Sequence, residues 1–396
     1  MRQPIRALLV AMWCAACRPS PGIHSAAAVD STDAQIVAIR ERLTTLADSA
    51  RVAQRWPGVS IAVALPNGTI IAVARGYADT LAKRPLTTDA RLLQGSVGKT
   101  YVAAVAMQLV AEGMLVLDAP VARYLGDAPW LDSVPNGRTA TVRQIMQHTS
   151  GLVRYEFQPT VTATLRSDPF REWTPLDRLR VLFGTRAPFA AGTSWEYSDT
   201  NYIVLGMIIE RLTGRSYYDV VQRRVLGPLQ LNATMPSDRR AMPMVANGYA
   251  GPKNELGGYD GSIGADGLFA LNPQFEWTGG GMASTTGDLA RWAKLLYEGK
   301  AFAPTMLPVM LDAVPARLGP NVKYGLGVML RPTALGISWG HSGFFPGYAT
   351  EMAYFPYARV AVALQVNITD PYPRGLMPLI VQMARAVGAR DSVPSR

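Results

Sequence analysis

Ser96-Val-Gly-Lys99 is the only place in the chain where a serine precedes a lysine by three residues. The tetrapeptide opens an apolar run, Thr100 to Val110, that reads as a helix. Residues three apart on a helix share a face, so the Ser96 hydroxyl and the Lys99 amine can meet. A serine hydroxyl is a weak nucleophile at neutral pH and needs an adjacent base. A lysine in a dry cleft can take that proton, or can steady a neighbouring phenolate that does so. Backbone N–H groups at the helix start can receive a developing oxyanion. Taken alone, the tetrapeptide is also what a chance serine beside a surface lysine looks like.

Two further segments carry reactive groups. In Tyr197-Ser-Asp-Thr-Asn-Tyr202, directly before a helical pattern, Tyr197 can shuttle a proton to a leaving group. The plain readings are a tyrosine packed at a loop–helix junction and Asp199 as an acidic N-cap. In Trp339-Gly-His-Ser-Gly-Phe344, residues His341 to Phe344 on an edge strand would offer backbone N–H groups to an oxyanion and to an extended substrate. The plain reading of His341 is a structural histidine.

The elements that must position these groups fall into two sets. Thr32 to Gln54 reads as an amphipathic helix, with Ile36, Ile39, Leu43 and Leu46 on one stripe. Val59 to Leu65, the turn Pro66-Asn-Gly68 and Ile70 to Arg75 read as a hairpin. A second strand pair, Thr350 to Tyr357 and Val360 to Asn367, precedes a helix from about Leu376 to Val387. Strands at both ends predict one antiparallel sheet assembled from the two ends of the chain. Between them, Thr100–Glu112, Thr141–His148, Asp177–Phe183, Tyr202–Leu212, Asp219–Val225 and Thr286–Tyr297 read as helices. The expected organisation is a leader and tether over 1–28 and one catalytic domain over 30–390. Its α/β lobe spans about 30–98 and 300–390, with a mainly helical lobe over about 99–299. A cleft between two such lobes is a usual place for a small-molecule site.

The 396 residues, 48% hydrophobic and 17% charged, describe an ordinary folded protein with a large core. The net charge of +10 is spread over scattered arginines, not dense basic runs with interleaved aromatics, which speaks against a nucleic-acid partner. Arg2 and Arg6 precede an apolar stretch, Ala7 to Ala16, too short to span a bilayer and shaped like a secretory signal. Cys14-Ala-Ala-Cys17 resembles a lipobox. Cleavage before Cys17 would give a lipidated N-terminus and a membrane attachment, whereas cleavage near Ala26-Ala27-Ala28 would leave no cysteine. Either way the mature protein is expected to be exported to the periplasm or cell envelope, with no disulfide and no thiol nucleophile.

Together, the three segments match in order and separation the S-x-x-K, Tyr-x-Asn and Lys/His-x-Gly series of the serine β-lactamase/penicillin-binding-protein superfamily. The chain most resembles the branch of class C β-lactamases, DD-carboxypeptidases, D-aminopeptidases and related esterases. Gln147-His-Thr-Ser-Gly-Leu152, Gly280-Gly-Met-Ala-Ser-Thr-Thr-Gly-Asp288 and Tyr324-Gly-Leu-Gly327 extend the resemblance over roughly Gln35 to Val387. It implies an α/β (α+β) fold of the serine β-lactamase/DD-peptidase type, with an antiparallel sheet, flanking helices and an inserted, mainly helical lobe. It also implies Ser96 as acylated nucleophile, Lys99 as activating partner and Tyr197 as proton shuttle. His341, Ser342 and Gly343 would be the strand motif, and the N–H groups of Ser96 and Phe344 the oxyanion hole. The reaction would be acyl transfer to water with no metal or organic cofactor, on an ester or peptide-like amide such as a cell-wall D-amino-acid peptide. The alternatives are a class C-type β-lactamase and a non-catalytic penicillin-recognising sensor.

Two positions depart from the class C pattern. Asp199 stands where asparagine is usual; if its carboxylate reaches Lys99, it favours the ammonium and leaves Tyr197 as the working base. His341 replaces lysine, a form found among the peptidase and esterase members, which argues against an efficient antibiotic-destroying enzyme. Other hydrolase classes fit poorly. Gly340-His-Ser-Gly343 misses the Gly-x-Ser-x-Gly spacing of α/β-hydrolases, and the histidines and cysteines form no metal-ligand cluster.

Overall fold

The computed structural model describes residues 33–251 and 261–390. After a first helix, Asp33–Gln54, the chain forms the hairpin of β1 (Gly58–Ala64) and β2 (Ile70–Asp79), paired antiparallel through the Pro66-Asn-Gly68 turn. A short β3 (Arg84–Pro85) follows. Six strands come from the other end: β4 (Val314–Pro315), β5 (Lys323–Tyr324), β6 (Met329–Thr333), β7 (Gly336–Phe345), β8 (Tyr348–Phe355) and β9 (Val360–Val366). The nine form one antiparallel sheet in the order β3-β2-β1-β9-β8-β7-β6-β5-β4. The join between the two ends is β1 against β9, with Val59 opposite Val366 and Ala64 opposite Ala361.

Alternation along β1 and β9 sorts the two faces by size. Ile61, Val63, Val362 and Leu364 face α1 (Asp33–Gln54) and the C-terminal helix Leu376–Ala386, packing with Ile39, Leu43, Ile380 and Met383. Ala62, Ala64, Ala361 and Ala363 face the other way, into the larger core with Leu289, Trp292 and Ala293 of the helix Thr286–Tyr297. Alanines on that face let the helix backbone lie close to the sheet. This helix therefore packs on the sheet, although its place in the sequence put it within the expected helical lobe.

Beyond it lies the helical part, centred on α2 (Lys99–Ala111) and α3 (Thr200–Thr213). Tyr101 to Met107 of α2 are all buried, and Tyr101 stacks on Trp292 with ring centroids 4.4 Å apart. The 155–173 stretch contains a further helix, Pro159–Ser167, started by Pro159 in its first turn and held by buried Val161 and Leu165. A small three-stranded sheet, Leu92–Leu93 with Met282–Ser284 and Met235–Pro236, leads the chain into the turn bearing Ser96.

Candidate active site

Ser96 sits in a single 3₁₀ turn, Gly95–Gly98, directly before α2. Backbone crowding on the β7 side fixes this turn. Gly95 has φ +54°, and a Cβ there would stand 2.4 Å from the Phe344 nitrogen. A Cβ on Gly343 would stand 1.8 Å from the Gln94 carbonyl oxygen and 3.3 Å from the Ser96 nitrogen. Only glycine fits at either position, so β7 runs immediately beside the turn. β6 pairs with β7 only as far as Gly340, while β8 pairs on the other side through Phe345. β7 is thus an interior strand of the sheet and not the edge strand expected, but His341 to Phe344 keep one side unpaired, next to the Ser96 turn.

Lys99 is wholly buried. Its ammonium donates to Ser96 Oγ (2.9 Å) and to the Gly279 carbonyl, and forms an ion pair with Asp199. Burial alone would lower its pKa. The Asp199 carboxylate and Tyr197 outweigh burial, and the net effect raises it above the ordinary lysine range. Asp199 occupies the N-cap position of α3, yet its side chain makes no capping bond. The N-cap reading is thus replaced by the lysine ion pair.

Tyr197 lies over this pair, its ring centroid 5.0 Å from Lys99 Nζ. Its hydroxyl is buried and makes no hydrogen bond of good geometry among the described residues. Burial and the Asp199 charge raise its pKa, while Lys99 and the Ser96 hydroxyl pull the other way.

His341 is also buried, held at both ring nitrogens. Nδ1–H donates to the Ser342 carbonyl (2.6 Å), an oxygen that can only accept, and Nε2 accepts from the Tyr324 hydroxyl (2.8 Å). Burial, then the nearby Lys99 cation, pushes its pKa down to about 3, so the ring is neutral at physiological pH. Strand alternation sends Ser342 the other way, where its hydroxyl donates to Glu351 (3.1 Å) and accepts from Arg331. Phe344 is partly exposed, its ring 6.1 Å from that of Tyr372. Seven of the expected residues, Ser96, Lys99, Tyr197, Asp199, His341, Gly343 and Phe344, thus converge on one place; the side chain of Ser342 turns away, and Cys17 lies outside the described residues.

The site also contains groups that the motifs did not announce. Glu276 is near Lys99 and Asp199, with Oε2 sealed from solvent and unpartnered among the described residues; burial, then the Asp199 charge, pushes it up to about 8. Glu156 is buried and accepts from Arg154 (2.7 Å), and burial with the Asp199 charge raises it as well. Tyr324 and the Gly279 carbonyl complete the first contacts of His341 and Lys99. Of these, only Tyr324 lay in a motif noted from the sequence, Tyr324-Gly-Leu-Gly327.

A sheet built from both chain ends, with a serine–lysine turn between it and a helical region, is the architecture of serine β-lactamases and DD-peptidases. A family model described as Beta-lactamase matches residues 34–382. The chain belongs to this family and is a serine hydrolase of the β-lactamase/penicillin-binding-protein superfamily. It is 27% identical over 326 residues to penicillin-binding protein 4* of Bacillus subtilis, covering 77% of this chain and 69% of that protein. It is 25% identical over 314 residues to the D-aminopeptidase of Brucella canis, spanning 79% of this chain but only 57% of the length of that relative. Among solved structures it is similar to a D-stereospecific amidohydrolase from Streptomyces sp. (29% identity, TM-score 0.73, covering 87% of this chain and 97% of that one). It is also similar to the D-amino acid amidase of Ochrobactrum anthropi SV3 complexed with D-phenylalanine (26% identity, TM-score 0.75, 88% and 98%).

Proposed function

We propose that this chain hydrolyses the amide or ester bond of small D-amino-acid derivatives through an acyl-enzyme on Ser96. In the form that has lost the Tyr197 phenol proton, Ser96 Oγ attacks the acyl carbon and its proton passes to the Tyr197 phenolate oxygen. The carbonyl oxygen, now negative, faces the N–H groups of Ser96 and Phe344. Collapse breaks the bond to the leaving group, which takes the proton from Tyr197. Water repeats the sequence on the ester so formed, and the acid leaves. Lys99 remains an ammonium throughout, favouring negative charge on the Tyr197 and Ser96 oxygens, while Asp199 keeps it charged.

The observation that carries the substrate reading is the charge of the site. Among the described residues, the cations around Ser96 are already paired: Lys99 with Asp199, Arg154 with Glu156, and Arg331 with Glu351. His341, where class C β-lactamases carry lysine, is neutral. No free cation awaits a substrate carboxylate, which both β-lactams and C-terminal D-Ala-D-Ala peptides present. The D-specific names of the amidase, amidohydrolase and aminopeptidase relatives support the stereochemistry. The test compares D- and L-phenylalanine p-nitroanilide, a chromogenic cephalosporin and a D-Ala-D-Ala peptide, each with Ser96→Ala alongside. The expected result is steady turnover of the D-anilide above the rest, abolished by Ser96→Ala. Faster turnover of the cephalosporin or the D-Ala-D-Ala peptide contradicts the charge argument, and a single acylation without turnover supports the sensor.

We also propose that the protein is exported, on the strength of Arg2, Arg6 and the apolar stretch Ala7–Ala16, and anchored through Cys17. No helix among the described residues is long and apolar enough to cross a membrane. The N-terminal mass of the mature protein distinguishes a lipidated Cys17 from cleavage near Ala28.

A further inference from the structure

His148 is a buried titratable group packed against Tyr197 to which the mechanism above gives no task. It belongs to the Gln147-His-Thr-Ser-Gly-Leu152 segment and is not solvent-exposed at all. Its backbone has φ +62°, a left-handed conformation uncommon for a residue with a Cβ, so its place is held by its surroundings.

Its contacts bracket Tyr197. The backbone carbonyl of His148 accepts the N–H of Glu196 (3.1 Å), and its Nδ1 accepts the N–H of Ser198 (3.2 Å). Between these two bonds the imidazole lies against the Tyr197 ring, centroids 4.2 Å apart and planes tilted by 32°. A third bond ties the clamp to α3. Asn201 Oδ1 accepts from the Ser150 hydroxyl, which turns its Nδ2 toward His148 Nδ1 (3.0 Å). With two N–H donors converging on Nδ1, that nitrogen must carry a lone pair, and the proton resides on Nε2. An imidazolium would present a donor to donors. Trp195, Tyr202 and Tyr324 enclose the rest of the ring, at centroid distances of 6.1, 5.5 and 4.7 Å.

We propose that His148 is the positioning residue for Tyr197: one residue grips the chain on both sides of the tyrosine and backs its ring, fixing the hydroxyl over Ser96 and Lys99. The proposal rests on Tyr197 serving Ser96 as proton carrier. His148 touches no reacting atom and acts only through Tyr197. A misplacement of about 1 Å of a group in proton transfer costs on the order of 10²-fold in rate, and that is the loss expected of kcat in His148→Ala.

The test is a double-mutant cycle on p-nitrophenyl acetate, an activated ester with a leaving group that departs without help from an acid. Ser96→Ala sets the floor. His148→Ala should cost about 10²-fold in the parent and at most about threefold in a Tyr197→Phe background, because sites acting through one another do not add. His148→Asn, which carries Oδ1 as an acceptor near the place of Nδ1, should recover much of the loss, and it serves in the same cycle if the alanine variant does not fold. Equal losses with and without the Tyr197 hydroxyl, or no recovery by asparagine, overturn the proposal. If Ser96→Ala retains activity, the Ser96 reading itself falls, and that result is distinct from a failed cycle above a true floor.

Discussion

Asp199→Asn probes the electrostatics of the site most directly. In the parent, the wholly buried Lys99 ammonium is held by the Asp199 carboxylate, which is itself 19% exposed. A unit charge at about 4 Å in an effective dielectric of about 20 interacts by roughly 4 kcal/mol. At about 1.4 kcal/mol per pKa unit, that is some two to three units of opposition to proton loss from the Lys99–Tyr197 pair. Asparagine keeps an acceptor for Nζ and removes the charge, so burial then dominates and lowers Lys99. If Ser96 is activated by the form that has lost one of those protons, kcat/KM of the parent rises with pH through the alkaline range. In Asp199→Asn the rising limb should move down by about two to three pH units. The assay is kcat/KM for p-nitrophenyl acetate from about pH 5 to about pH 11 at fixed ionic strength. A limb that stays in place, or moves upward, refutes the reasoning. Stability supplies the sign check. Because the folded pKa of Lys99 is raised, the contribution of the pair is fully present below the ordinary lysine pKa and is lost as pH climbs through the raised value. The variant buries an ammonium without its partner, costing on the order of 3–5 kcal/mol at low pH, and the deficit should shrink as pH rises.

Glu276→Gln should stabilise the protein at neutral pH. The folded carboxyl titrates near 8, so the parent loses stability as pH rises from the ordinary glutamate range toward that value. The gain should be about 2–3 kcal/mol near pH 7 and close to zero near pH 4, read from denaturant midpoints. His341 should show no imidazole titration by NMR between about pH 5 and pH 8, and its low pKa makes stability fall as pH drops below the ordinary histidine value. A normal titration there would return a cation to the strand and undo the charge argument. Gly343→Ala would press a Cβ into the Gln94 carbonyl and move β7 from Ser96; kcat should fall by about 10²-fold or more, with a lower Tm, and parental kinetics would contradict the placement of the oxyanion edge.

Much of this was legible from pattern. The hairpin of β1 and β2 announced itself by Asn-Gly between apolar runs, and the helix Thr286–Tyr297 by Asp288 in its first turn and Gly299 just past its end, because those signals are local. Ser96 and Lys99 were legible because one turn holds both. What escaped has a common cause. Glu276, Glu156 and the Gly279 carbonyl reach the site through tertiary packing, and nothing adjacent in sequence marks a buried acid without a partner. Asp199 shows the same limit from the other side. At the first turn of a helix an acidic residue reads as a cap, and only the fold reveals Lys99 within reach. The helix Thr286–Tyr297 was assigned by its neighbours in sequence, whereas the alanines of β1 and β9 that receive it are distant in the chain.

The direct measurement for the central claim is where a covalent serine-directed probe lands. Treatment with a fluorophosphonate, followed by digestion and mass spectrometry, should place one adduct on the peptide carrying Ser96, with labelling lost in Ser96→Ala and slowed in Tyr197→Phe. An adduct on any other residue, or labelling of Ser96→Ala at the parental rate, would contradict the account.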